Sequence, residues 1–218
     1  MDKFYKDVYN KLYKTGYHRG GFAGKELLKF LEENYTLSAS DLVLDIGCSN
    51  GSGMKLINKL ATADISYGFD PADLAIKYCY EKFTNDEERY KVGALPDIPF
   101  EDNFFNIIFC TDVLEHVLPD HINESFKEIN RVTKDNAHIF LDIALLPETN
   151  RHDKITKEYE IENLHTTLFS SEEWFDVFED NNLKVHNHFI HYEPAKTIRH
   201  KIDYSGKEGN LRVYLKKI

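Results

Sequence analysis

Apolar residues recur along the chain in two alternating rhythms. Between residues 4 and 35, Leu27, Leu28, Phe30 and Leu31 repeat at helical spacing, and Gly20-Gly21 divides the stretch into two helices. Residues 42–46 are a short, mainly apolar run with β-branched members that ends in glycines, the pattern of a buried parallel strand. The alternation continues with a helix over 52–60, a strand over 65–69, a helix over 72–83 and a short strand over 90–92. A strand over 106–110, a helix over 120–132 with Asp120 as its expected N-cap, and a strand over 137–145 follow. Ser170 and Glu173 stand at capping-box spacing and open a helix to about residue 180. The last two strands, 183–192 and 211–215, have no helix pattern between them, which predicts an antiparallel hairpin on one edge of an otherwise doubly wound α/β sheet.

Composition narrows the class. The 218 residues are 42% hydrophobic and 29% charged, ordinary values for one soluble globular domain. No apolar run reaches the roughly 18 residues of a membrane span, and no signal core follows the N-terminus. Cys48, Cys79 and Cys110 are an odd number in mostly apolar settings, which fits reduced thiols in a cytoplasm. A net charge of −10 argues against a polyanionic partner such as duplex nucleic acid. Residues 196–218 run the other way, with Lys196, Arg199, Lys201, Lys207, Arg212, Lys216 and Lys217 against Asp203 and Glu208. A solvated hairpin explains them as well as an anion-binding face does.

The most informative segment is Asp45-Ile46-Gly47-Cys48-Ser49-Asn50-Gly51-Ser52-Gly53, at the handover from the first strand to the helix after it. Glycines there allow a tight turn and let a ligand approach where a Cβ would stand. The helix N-terminus offers free N–H groups, and ligands of open α/β sheets bind at this end of the strands. A dinucleotide fingerprint reads G-x-G-x-x-G. This loop reads G-x-x-x-G-x-G, with an acid two residues before its first glycine. Asp70 closes the second strand and is placed to accept hydrogen bonds from both hydroxyls of a ribose.

The loop and Asp70 together resemble the class I S-adenosylmethionine-dependent methyltransferases. Residues 98–108, Ile-Pro-Phe-Glu-Asp-Asn-Phe-Phe-Asn-Ile-Ile, resemble that family's passage into its fourth strand, and Asp112-Val113-Leu114-Glu115-His116-Val117 resembles the segment after it. The likeness runs in order over residues 40–145. It implies a Rossmann-like, mostly parallel seven-stranded sheet with N-terminal helices and a C-terminal antiparallel hairpin. It also implies S-adenosylmethionine as cofactor and S-adenosylhomocysteine as product. The matching positions for the cofactor are Asp45, Gly47, Cys48, Gly51, Gly53, Asp70, Pro71, Ala94, Leu95 and Thr111. Gly93-Ala94 stands where the family carries an acid after its third strand, which leaves the adenine amino group to a backbone group or to Asp97. In this family the N-terminal helices close over the cofactor, so Tyr13, Tyr17, His18 and Arg19 come near it. Arg19 is then a partner for the methionine carboxylate, with an exposed helix-end arginine as the alternative.

Methyl transfer needs alignment, exclusion of water and, for a hydroxyl acceptor, a base. The resemblance offers His116, in the pocket floor, and His165, whose segment Leu164-His165-Thr166-Thr167-Leu168-Phe169-Ser170 resembles the acceptor-side entry of small-molecule methyltransferases. Either histidine also reads as one that merely orders its own loop. His186 and His188 share a strand face by period two, with His191 nearby. No cysteine or carboxylate spacing accompanies them, so no metal site is expected. The polar stretch 147–168, with His152, Lys154, Lys157 and Tyr159, reads as a lid.

One domain over 1–218 results: a helical cap over 1–38, a cofactor-binding core over 39–146, and an acceptor-side segment with the closing hairpin over 147–218. The expected function is methyl transfer to a small polar metabolite, an oxygen acceptor slightly favoured over nitrogen. The alternatives are a methyltransferase of RNA or protein, and a cofactor-binding protein without methyl transfer. The partner is then a small-molecule acceptor, with no membrane. Oligomeric state is not indicated.

Overall fold

The structure, a computed structural model, describes residues 3–15, 24–82, 88–145, 164–193 and 208–218. Among these, seven strands form one sheet in the order β3-β2-β1-β4-β5-β7-β6. They are β1 (Val43–Ile46), β2 (Ser66–Asp70), β3 (Tyr90–Val92), β4 (Phe105–Thr111), β5 (Thr133–Leu145), β6 (Leu183–Glu193) and β7 (Glu208–Lys217). The first five run parallel to their neighbours, while β7 lies antiparallel between β5 and β6. The closing hairpin is thus present, with its second strand inserted and its first left on the edge.

All four residues of β1 are buried, as expected of a central parallel strand covered on both faces. On one face lie α2 (Lys25–Asn34) and α3 (Ser52–Ala61), whose Leu27, Leu31 and Ile57 pack on Val43, Ile107, Phe140 and Tyr214. The other face carries α5 (Ile122–Val132) and α6 (Ser171–Asp180), whose Phe126, Ile129, Trp174 and Phe178 cover Leu44, Ile108, Leu141 and Val213. Between β2 and β3 runs α4 (Asp73–Lys82). Outside the layers, α1 (Lys3–Thr15) buries Leu12 against Leu164 and Tyr13 against Ala72 and Ala75.

Two local expectations change and one holds. Asp120 does not cap α5. A 3-10 turn at Pro119–His121 leads into that helix, and no side chain caps it. The capping box of α6 forms as expected: Ser170 Oγ accepts from Glu173 N–H, and Glu173 accepts from Ser170 N–H. β5 begins four residues early, at Thr133, because polar Lys134, Asp135 and Asn136 continue the strand while remaining exposed.

His186 and His188 also separate. A register shift between Val185 and Asn187 inserts one residue into β6. His186 consequently stacks on Tyr214, on the α2 face, while His188 meets Phe175 of α6 on the other. Period-two alternation fails at the bulge. The basic residues near the C-terminus are partly used inside the fold. Arg212 donates to Asp142 at 2.7 Å, and Lys217 donates to the carbonyls of Asn130 and Thr133 at 2.8 Å.

Candidate functional site

The strand order switches between the adjacent parallel strands β1 and β4, the place where open α/β sheets form a crevice at the carboxyl ends of their strands. The glycine loop fills the floor of this crevice. Gly47 (φ 70°), Ser49 (φ 50°) and Gly51 (φ 74°) all take left-handed conformations. At Gly47 a Cβ would meet Val113 Cγ2 at 2.5 Å, so packing against the segment after β4 excludes a side chain there. The loop closes through Cys48 N–H to Phe69 O at 3.0 Å and Gly51 N–H to Cys48 O at 2.9 Å. Gly51 then serves as the N-cap of α3, and Gly53 is buried in its first turn.

Two buried carboxylates lie beside this loop. Asp70 accepts Ser49 N–H at 3.0 Å on one oxygen and Ala72 N–H at 2.9 Å on the other. Burial raises it to about 6, against the downward pull of those two donors. Asp45, 5% exposed, accepts no hydrogen bond among the described residues. Burial, then the charge of Asp70, pushes it up to about 8. Such a pair favours a ligand that brings positive charge and hydroxyl donors.

α1 covers the carboxylates. The Tyr13 hydroxyl is hydrogen-bonded to Ser49 Oγ. Burial and the charge of Asp70 hold its phenol well above the ordinary range. Beneath the loop, the Cys79 thiol donates to Ser49 O at 3.4 Å. All three cysteines are buried and free, and burial pushes the Cys48 and Cys110 thiols up.

After β3, Ala94 and Leu95 are buried, and Asp97 N–H returns to Ala94 O at 2.8 Å. Arg131 pins the following loop to α5. Its guanidinium donates to the carbonyls of Ile98 and Phe100, at 2.9 Å each, and to Glu128 and Asp102. The ion pair with Arg131 lowers Glu128 below the usual carboxylate range. At the end of β4, Thr111 Oγ1 is buried and has no hydrogen-bond partner among the described residues.

The opposite wall is a 3-10 turn, Leu114–His116, clamped to residues 164–167. Thr166 and Thr167 N–H both donate to Glu115 O, at 2.8 and 3.0 Å, and both threonine hydroxyls donate to Val117 O. His116 Nδ1 lies 2.7 Å from Leu164 O. A carbonyl only accepts, so Nδ1 carries a proton. The His165 ring stands perpendicular to that of His116, with centroids 4.4 Å apart, and Tyr9 of α1 meets His116 edge-on at 6.0 Å.

The two candidate histidines are therefore brought together, beside the segment that packs on Gly47. Asp45, Gly47, Cys48, Gly51 and Asp70 gather around one loop. Arg19 and most of the stretch read as a lid, including His152 and Tyr159, lie outside the described residues. Tyr9, Val113 and Glu115 were not singled out from sequence. Their roles depend on contacts between distant segments, and only the period of α1, four residues from Tyr9 to Tyr13, hinted at a shared face.

Residues 44–141 match the family model of the methyltransferase domain. Over 203 residues the chain is 29% identical to a tRNA U34 carboxymethyltransferase of Nautilia profundicola, covering 80% of the chain and 64% of that relative. The chain spans 42–64% of the length of the curated relatives it matches. Among solved structures, the YcgJ protein of Bacillus subtilis superposes with a TM-score of 0.66 at 17% identity, over 88% of this chain and 98% of that one. A geranyl diphosphate C-methyltransferase of Streptomyces coelicolor, in complex with Mg2+, geranyl diphosphate and S-adenosyl-L-homocysteine, does so at 0.63 and 13% identity, over 88% and 77%. The likeness to these solved structures shows the fold. No described helix is long and apolar enough to cross a membrane.

Proposed function

We propose that the chain is an S-adenosylmethionine-dependent methyltransferase that methylates an oxygen atom of a small polar acceptor. The observation that carries this reading is the buried pair of Asp45 and Asp70 beside a left-handed glycine loop. When bound, the cofactor supplies an activated methyl group on a cationic sulfonium. Asp70 retains lone pairs for the ribose hydroxyls, since each carboxylate oxygen accepts more than one bond. Asp45, buried and unpaired among the described residues, answers the positive charge of the methionine end. Gly47, Cys48, Gly51, Gly53, Pro71 and Thr111 line the cofactor, Arg19 pairs with its carboxylate, and Ala94 and Leu95 border its adenine. His116 and His165 stand on the acceptor side, where a hydroxyl must lose its proton. The boundaries 1–38, 39–146 and 147–218 separate cap, core and acceptor side in this reading.

One observation favours a second acceptor. The 29% identical relative is a tRNA-modifying enzyme. Against RNA stand the net charge of −10 and the engagement of Arg212 and Lys217 in internal contacts. Transfer of a labelled methyl group to small hydroxylated metabolites and to bulk tRNA, run side by side, decides between them. Label in the metabolites supports the proposal, label in tRNA supports the second reading, and cofactor binding without transfer to either reduces the chain to a binding protein.

A further inference from the structure

Glu115, His116 and His165 each present one ligand atom, and these atoms all lie within 4.8 Å of one another. Glu115 and His165 are buried, at 1% and 8% exposure. One carboxylate and two imidazoles in such a cluster form a common donor set for a divalent transition metal.

The surroundings prepare the set. The Nδ1–H of His116 is committed to the Leu164 carbonyl at 2.7 Å, which orients the ring. A backbone carbonyl in that position is the usual outer-shell partner of a metal-binding histidine. Four further hydrogen bonds, from Thr166 and Thr167 to the carbonyls of Glu115 and Val117, hold the His165 segment against the Glu115 turn. The donors therefore need not be gathered when an ion arrives. Sequence spacing hides the set, because His165 comes from a segment far from Glu115 and His116. The histidines first considered for a metal, at 186 and 188, fall on opposite faces of the sheet.

We infer that Glu115, His116 and His165 bind a divalent transition-metal ion of the zinc and cobalt class. Three protein ligands leave at least one position open. The cluster closely follows Val113, which packs on Gly47, so in the methyl-transfer reading the ion sits on the acceptor side of the cofactor crevice. An oxygen of the acceptor is the natural occupant of the open position, and a bound cation lowers the pKa of a hydroxyl that it holds. This last step rests on the methyl-transfer reading; the ion site itself does not.

The test uses the full chain, stripped with a chelator and titrated with Co2+, read by its visible d–d absorption, and with Zn2+ in competition against a chromophoric chelator. The expected result is one equivalent of Co2+ with a nitrogen-ligand spectrum, displaced by Zn2+. His165→Ala and Glu115→Gln should each weaken Zn2+ by at least about tenfold, since even outer-shell losses cost that much. His186→Ala should leave the affinity unchanged. Calorimetry with S-adenosylhomocysteine on the same samples reports on folding and on the cofactor reading separately. Cofactor binding with no metal uptake overturns the site and leaves methyl transfer standing. Metal uptake without cofactor binding keeps the site and overturns the function. Unchanged Zn2+ affinity in a folded His165→Ala protein also overturns the site.

Discussion

The Tyr13 hydroxyl is hydrogen-bonded to Ser49 Oγ, which ties α1 to the glycine loop. One turn earlier in the same helix, Tyr9 meets His116. Leu12, between them, packs on Leu164, whose carbonyl holds the His116 ring. One helix thus touches both the glycine loop and His116. Tyr13→Phe removes the hydrogen bond to Ser49, worth about 0.5–1.5 kcal/mol. It should lower the melting temperature slightly and speed S-adenosylhomocysteine dissociation. Stopped-flow release from wild type and variant checks this, and identical off-rates would separate α1 from the cofactor.

Asp45 has an ordinary value of 3.8 and a folded value of about 8. Between about pH 4 and pH 8 the folded chain holds a proton that the unfolded chain releases, so stability from this group falls as pH rises. Asp45→Asn removes the titration. Its melting temperature should match wild type near about pH 4 and exceed it increasingly up to about pH 8. Its affinity for S-adenosylhomocysteine should drop over the same range. A melting difference independent of pH would show that the Asp45 carboxylate is not desolvated.

Sequence patterns disclosed the parallel core because each of its strands contains a short, mainly apolar run. The loop at 45–53 and Asp70 were legible for the same reason: their chemistry is local. The misses come from local irregularities and from contacts between distant segments. Asp120 looked like an N-cap, yet the 3-10 turn at Pro119–His121 leaves the first turn of α5 without a side-chain cap. The alternation that put His186 with His188 did not survive one inserted residue in β6. Glu115 read as part of a family-like string, and its proximity to His165 appears only once residues 164–167 fold back on the turn.

Gly47 carries two constraints, a left-handed φ and the Val113 methyl at 2.5 Å from where a Cβ would stand. Gly47→Ala should therefore destabilise by about 1–3 kcal/mol as well as weaken cofactor binding. Val113→Ala in the Gly47→Ala background relieves the clash and should restore part of the stability. Thermal melts of the two proteins decide this, and no recovery would assign the whole cost to backbone strain.

His165 stands in the acceptor-side wall, either as a base or as an ion ligand. His165→Ala should cost about 10²–10⁴-fold in turnover and leave S-adenosylhomocysteine affinity within about twofold. His165→Gln hydrogen-bonds but neither accepts a proton at neutral pH nor replaces an imidazole ligand, so it should not rescue. Full turnover in either variant would reduce His165 to a residue that orders its own segment.

The central claim is that the crevice at β1 and β4 takes S-adenosylmethionine through Asp70. Calorimetric titration of the full chain with S-adenosylhomocysteine, repeated with Asp70→Ala, tests it most directly. Removing charge-assisted bonds worth about 1.5–3 kcal/mol should weaken binding by about tenfold to a hundredfold, with a nicotinamide dinucleotide giving no heat in either protein. Dinucleotide binding with no S-adenosylhomocysteine signal, or an affinity untouched by the loss of Asp70, would contradict the account.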